Sequence, residues 1–322
     1  MTTHEELVRE IEAAHARISP HVRRTPVEPS PFLTTATGAE VWCKLENHQE
    51  TGSFKLRGAL NRVLSASEEE QKRGFVTAST GNHGAAMARA VDLCGAPLTV
   101  FVPTSADAGK IERLRRTGVG VEVGGEDCID AEARARAFTD KNALTYVSPY
   151  NDSLVVAGQG TLGLELSAQV PDLDAVFIAL GGGGLTAGVA AWLKSARPAT
   201  AVVACSPLNS AVMIHSIQAG RILELPSEPT LSDGTAGGVE EGSITFDLCR
   251  RYVDRWETVL EPAIADALRT FITQHHSLIE GAAAVPMAAL LATGHSLAGQ
   301  RVAVVACGSN IATDTLREVL EP

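Results

Sequence analysis

Ala175-Val176-Phe177-Ile178-Ala179-Leu180-Gly181-Gly182-Gly183-Gly184-Leu185-Thr186-Ala187-Gly188 decides how this chain is read. The unbroken apolar run suits a strand buried on both faces, as in a parallel sheet, and the small residues after the glycines suit a helix. Strand, glycine turn and helix together form the geometry in which backbone N–H groups converge on an anion. Four consecutive glycines leave no side chain to hold that anion away from the amides, so the stretch predicts a phosphate site. A dinucleotide site is the rival, because Gly182, Gly184 and Ala187 satisfy G-x-G-x-x-[GA]. That site expects an acidic residue about 20 positions on, at the end of the next strand. Here the next strand, Ala201-Val202-Val203-Ala204, ends in Cys205-Ser206-Pro207, with no carboxylate to hold a ribose.

A second loop, Ser79-Thr80-Gly81-Asn82-His83-Gly84-Ala85, lies between the apolar run Phe75–Ala78 and a helix of small residues. Further upstream, Thr51-Gly52-Ser53-Phe54-Lys55-Leu56-Arg57-Gly58-Ala59 offers one lysine at the start of a predicted helix. A helix N-terminus is partly positive and rich in free N–H groups. It disfavours an ammonium and suits an amine that must be neutral to attack a carbonyl. An exposed lysine on a surface helix is the plainer reading. The two glycine loops argue against it.

At 322 residues the chain is long enough for two domains, and 45% hydrophobic with 20% charged residues is an ordinary globular balance. A net charge of −11 without a basic patch argues against nucleic acid as a partner. Arg23-Arg24, Arg115-Arg116 and Arg250-Arg251 are scattered pairs that read as solvated faces. Cysteines 43, 94, 128, 205, 249 and 307 show no C-x-x-C and no metal-ligand spacing, which indicates free thiols in a reducing compartment. The N-terminus is polar and acidic, unlike a signal peptide, and no apolar run reaches 18 residues. A cytoplasmic protein without membrane spans is expected.

The pattern along the chain predicts an α/β fold. Helices are expected at 4–17, 54–65, 83–94, 107–117, 128–140, 153–169, 185–196, 209–219, 262–275 and 281–293, with a last one from Asn310. Strands are expected at 41–45, 75–78, 98–102, 119–123, 144–147, 175–180, 201–205 and 302–306. Residues 221–245 hold prolines, glycines and few periodic apolar positions, so they read as a long functional loop.

The segments SFKLRGA, STGNHGAA, GGGGLTAG, LIEGAA and CGSN, in this order and spacing, resemble the fold-type II pyridoxal-phosphate enzymes. Within them the chain is similar to the threonine/serine dehydratase (ammonia-lyase) and serine racemase branch, from about Ile18 to the C-terminus. The resemblance implies a two-domain fold like the tryptophan synthase β-chain, with twisted parallel sheets flanked by helices. Residues 1–49 and 150–322 would form the larger cofactor-binding domain, and 50–149 a smaller domain carrying the lysine and the substrate loop. It also implies that the chain ends without the regulatory domain of the biosynthetic dehydratases, and that it forms a homo-oligomer, a dimer or tetramer.

By the same resemblance, Lys55 bonds the aldehyde of pyridoxal 5'-phosphate, beside Phe54, and later takes the Cα proton of an amino-acid substrate. Gly181, Gly182, Gly183, Gly184 and Leu185 wrap the phosphate, and Asn82 donates to the ring hydroxyl. Ser79, Thr80, Gly81, Asn82 and His83 clamp the substrate carboxylate, with His83 a packed residue rather than a base. Cys307 faces the pyridine nitrogen; a thiol cannot hold that nitrogen protonated, so the ring is a weaker electron sink and loss of a β-leaving group is favoured. Glu280 lies near the cofactor, although it opens a predicted helix whose dipole favours a carboxylate, so a plain N-terminal charge stays open.

The implied reaction is β-elimination of water from a β-hydroxy-α-amino acid such as L-threonine or L-serine, giving a 2-oxo acid and ammonia. Phenylserine- or hydroxyaspartate-like substrates and racemisation are the alternatives; a catalytically silent carrier would have lost Lys55. Racemases carry serine where this chain has Thr80; its stiff β-branched side chain disfavours proton delivery from the second face, and a role that only shapes the loop stays open, which also leads to a dehydratase. Relatives hold a cation with a Glu before Pro and a nearby Asp. Ser206 and Val212 stand at those positions, so no metal is expected.

Overall fold

The computed structural model describes residues 3–126, 128–226 and 228–321. Met1 and Thr2 of the N-terminal stretch and the Cys128 side chain lie outside the described residues. Strands are β1 (Val27–Pro29), β2 (Glu40–Leu45), β3 (Phe75–Ala78), β4 (Leu98–Val102), β5 (Gly120–Val123), β6 (Thr145–Tyr146), β7 (Ala175–Ala179), β8 (Ala201–Pro207), β9 (Arg255–Val259) and β10 (Arg301–Ala306). One sheet has the order β1-β2-β10-β7-β8-β9 and the other β5-β4-β3-β6. All pairings are parallel except β1 with β2. In the centre of the larger sheet Ala303 lies opposite Trp42 on one side and Val176 on the other. Every residue of β3 and β7 is buried, as helices covering both faces of a parallel sheet require.

The expected helices and strands are present within three residues of their predicted ends; the largest shifts are at the starts of the helix Val212–Ala219, expected from 209, and of the last helix, which runs from Thr313 rather than Asn310. Elements without a sequence signal are β1, β9 and the helices Pro31–Thr37, Glu68–Arg73 and Ile244–Tyr252. β1 and β9 are edge strands with mixed burial and no apolar run. Helix Glu68–Arg73 buries nothing and is held by a capping box between Ser67 and Glu70.

Helix Ser153–Gln169 is the spine between the two sheets. Glycines at its contacts permit unusually close helix packing: a Cβ at Gly158 would lie 2.6 Å from the Arg57 carbonyl oxygen, and one at Gly188 of the helix Gly184–Ala196 would lie 2.3 Å from the Val156 carbonyl oxygen. Beside this spine lies a fully buried network of four charges. The Arg57 guanidinium donates to both oxygens of Glu46 (2.8 and 2.8 Å) and both of Glu165 (2.8 and 2.8 Å). Lys44 donates to Glu165 (2.6 Å), to the Thr25 carbonyl and to Gln169. Burial alone would raise the Glu46 pKa, but the adjacent guanidinium outweighs it and holds the carboxyl below its usual range.

Two cations and two anions make this cluster neutral as a set and costly to break singly. Glu165→Ala leaves Lys44 and Arg57 short of an acceptor each, and is expected to lower the unfolding free energy by about 3–5 kcal/mol. Urea denaturation of the cofactor-free protein checks this. A loss below about 1 kcal/mol, the range of an exposed pair, would show that the network does not hold the fold.

Candidate active site

The site forms where the C-terminal ends of both sheets face each other, the crevice in which open α/β sheets bind ligands. Lys55 begins the helix Lys55–Leu64, directly after a turn tied to the end of β10. That tie is the Phe54 amide bonding the Cys307 carbonyl at 3.0 Å, beside an isolated bridge between Ser53 and Gly308. The half-buried Lys55 amine donates to the Pro149 carbonyl at 2.8 Å and lies 5.2 Å from the Phe54 ring centre. Its pKa is lowered to about 8. The main cause is desolvation in the cleft, opposed by Cys307 and Glu280, rather than the helix dipole alone.

The glycine loop stands next to this lysine. Pro149 leads to Tyr150, whose ring packs on Gly182: a Cβ there would lie 2.5 Å from the ring. A Cβ at Gly181 would lie 2.8 Å from the Thr235 backbone, and Gly183 has φ +88°. Glycine is therefore demanded by the protein's own packing as well as by any anion. Among the described residues the amides of Gly181, Gly182, Gly183, Gly184 and Leu185 find no protein acceptor. The Leu185 side chain points into the apolar core, so only its amide faces the loop. A run of unpaired N–H groups at a helix start fits a phosphate.

Loop Ser79–His83 follows β3. Ser79 accepts from the Gly81 amide, while the amides of Thr80, Asn82 and His83 have no acceptor among the described residues. Asn82 Nδ2 donates to Glu280 at 2.8 Å, and its Oδ1 accepts from Asn310 Nδ2 at 2.6 Å. His83 is buried with one ring nitrogen on the Val147 carbonyl (3.3 Å) and Nδ1 unpartnered. Burial, reinforced by Lys55, lowers its pKa to about 3, so at neutral pH the ring is uncharged. Thr80 and Gly81 also wall a cavity of about 390 Å³ that reaches Arg89 and Lys110.

Glu280 is bonded to Asn82 and Asn310 rather than left as a plain N-terminal charge. It caps the helix Gly281–Thr293 without bonding its first-turn amides, and its pKa is raised to about 7 rather than lowered. Burial and the nearby Asp233 charge outweigh the donors Asn82 and Asn310. Cys307 is buried and its thiol is pushed well up, so it stays protonated. Ser206, at the position considered for a cation, donates its hydroxyl to the Leu180 carbonyl at 2.7 Å.

Lys55, Asn82, His83, Glu280 and Cys307 are thus linked by hydrogen bonds or mutual electrostatic influence, and the glycine loop packs on Tyr150 beside the Pro149 carbonyl that Lys55 reaches. Three contributors went unread: Tyr150, the Asn310 side chain and Asp233, which bonds Lys110 across the cleft mouth at 2.8 Å. Asp233 had a signal in its place in the long loop and Asn310 in closing the CGSN segment, while Tyr150 had none.

An amine whose pKa is lowered to about 8, beside a cradle of free amides, is the pairing that a phosphorylated aldehyde requires. The family model described as "Pyridoxal-phosphate dependent enzyme" matches residues 18–308. The chain belongs to this family. It is 39% identical over 311 residues to the L-threonine ammonia-lyase of Thermotoga maritima, covering 97% of this chain and 77% of that one. It is 36% identical to a beta-hydroxyaspartate dehydratase of Paracoccus denitrificans, covering 94% and 96%. Maize serine racemase superimposes with a TM-score of 0.91 at 31% identity, covering 97% and 96%. Like its family, the chain uses pyridoxal phosphate as cofactor. Among the described residues no helix is long and apolar enough to cross a membrane.

The lowered Lys55 pKa makes a pH prediction. Between about pH 8 and the ordinary lysine value of 10.5 the unfolded chain holds a proton that the folded one has released, so on this group's account stability rises with pH across that window. The neutral amine is also the reactive form. The rate at which cofactor-free protein takes up pyridoxal phosphate should rise with a midpoint near pH 8; a midpoint near 10 would contradict a desolvated amine.

Proposed function

We propose that this chain is a pyridoxal-phosphate-dependent lyase that removes water from a β-hydroxy-α-amino acid, with L-threonine and L-serine as substrates. The carrying observation is the Lys55 amine, desolvated in a cleft and flanked by two loops of unpaired amides, one suited to a phosphate and one to a carboxylate. Relatives named threonine ammonia-lyase support the reading.

When bound, the cofactor supplies an electron sink for the charge left at Cα. The amides of Gly181–Leu185 hold its phosphate, and Asn82 donates an N–H to its ring oxygen. The Cys307 thiol, uncharged in the apolar floor, leaves the ring nitrogen unprotonated. Ser79 and the amides of 80–83 orient the substrate carboxylate. Lys55 would take the Cα proton and return it to the departing hydroxyl as the Cβ–O bond breaks, so that water leaves and the amine is neutral again. The released enamine tautomerises and hydrolyses to a 2-oxo acid and ammonium. Neutral His83, whose donor is committed to Val147, has no proton to contribute. A cytoplasmic homo-oligomer fits the free, mostly buried cysteines of the described residues and the unpartnered apolar side chains Ile129 and Leu260 on the surface.

Thr80 stands where a proton donor on the opposite face would be required for racemisation, which favours dehydration. With L-serine the enzyme should form pyruvate at least tenfold faster than D-serine, and equal rates would establish a racemase. Lys55→Ala should lose at least 10³-fold in kcat while still binding the cofactor non-covalently, a range typical of a lost acid–base group. Borohydride should attach the cofactor to Lys55, and attachment elsewhere would overturn its role. A panel of serine, threonine, phenylserine and hydroxyaspartate, assayed for 2-oxo acid, sets the substrate. Chelation by EDTA should change the rate less than about twofold, since neither Ser206 nor Val212 offers a carboxylate to a hard cation.

A further inference from the structure

Asn310 joins three segments of the cleft that come from distant parts of the chain. Its Nδ2 donates to the Thr51 carbonyl at 2.9 Å and to Asn82 Oδ1 at 2.6 Å, and its backbone amide donates to Glu280 at 3.0 Å. The direction of these bonds is forced. The Thr51 carbonyl can only accept, so the Asn310 atom facing it is the NH2 group, and the second N–H of that group needs an acceptor on Asn82. The Asn82 oxygen therefore faces Asn310. Its nitrogen is left facing Glu280, to which it donates at 2.8 Å. One Asn82 Nδ2 proton is thereby used, and the other has no protein acceptor among the described residues.

We propose that Asn310 is a positioning residue that locks the Asn82 amide in the one orientation that leaves a free N–H for the ring oxygen of the cofactor. This rests on the reading of Asn82 as the donor to that oxygen. Without Asn310 only Glu280 orients the amide, and a protonated Glu280 can equally donate to the carbonyl of the turned-over amide, which then presents oxygen to the cofactor oxygen, an acceptor meeting an acceptor. The small residue Gly308 completes the arrangement, because a Cβ there would lie 2.5 Å from the Glu280 oxygen that receives Asn82.

Three variants, Asn82→Ala, Asn310→Ala and Asn310→Asp, are compared through the absorption maximum of the bound cofactor and its dissociation constant. Asn310→Asp is nearly isosteric but cannot donate to Asn82, so it inverts the amide. All three should move the absorption maximum in the same direction and weaken cofactor binding about tenfold, the scale of one lost or reversed hydrogen bond to a buried acceptor. The Asn310 variants should lower kcat more than they raise KM for the amino acid. If Asn82→Ala leaves the spectrum unchanged, the reading of Asn82 is wrong. If it moves the spectrum and neither Asn310 variant does, the positioning role is wrong. Should the variants fold poorly, the cofactor-free wild-type protein decides: in its NMR spectrum the two Asn82 Nδ2 protons should exchange with solvent at clearly different rates. Equal rates would show that the amide is not locked.

Discussion

A buried guanidinium two residues beyond Lys55 is the constraint on which the cleft depends. Arg57 grips Glu46 after β2 and Glu165 on the spine helix, each through two hydrogen bonds, and Lys44 closes the set. Such a cluster is no stronger as a source of stability than well-packed apolar residues of equal volume. What it adds is direction. A planar fork meeting two carboxylates admits one orientation, whereas leucines tolerate rotation of one helix on another. The close approach at Gly158 brings the lysine helix onto the spine, and Arg57 sets its rotation. The Lys55 amine then meets the Pro149 carbonyl at the head of the neighbouring loop.

Electrostatic pairing within the cleft follows a consistent division. Two cations near the cleft are paired with carboxylates from distant segments: Lys110 with Asp233, and Arg136 with Glu240, which also accepts from Asn151. The interior is left with groups that desolvation pushes toward their neutral forms: His83 and Cys307 are uncharged at neutral pH, while Lys55 and Glu280 are brought to pKa values of about 8 and about 7. Positive potential for an anion comes instead from backbone amides at two helix starts, which carry no proton to lose and need no reorientation. A site built this way suits a phosphate and a carboxylate while leaving its lysine able to exchange protons near pH 8.

Much of the fold was legible along the chain because its central strands are fully buried. Runs such as Phe75–Ala78 and Ala175–Ala179 have no polar face to obscure them, and glycine loops mark where they end. The edge strand Arg255–Val259 was not legible, since only Val259 is buried and charged residues alternate through it. Tyr150 was invisible for another reason: its importance lies in covering Gly182, a contact between residues 32 positions apart. Asn310 read as a helix start because asparagine commonly caps helices; here its side chain is drawn away to Thr51 and Asn82.

Local chemistry in the chain determined the residue types of the site: a lysine after a Gly-Ser break, glycine loops after strands, a cysteine at the end of β10. Those choices depend on neighbours in sequence and on backbone geometry, so they can be read one segment at a time. Tertiary structure alone decided their protonation and orientation. The raised Glu280 pKa, the lowered Lys55 pKa and the locked Asn82 amide each arise from desolvation or from partners across the cleft. Desolvation and hydrogen-bond direction are properties of three-dimensional surroundings, and no pattern along the chain encodes them.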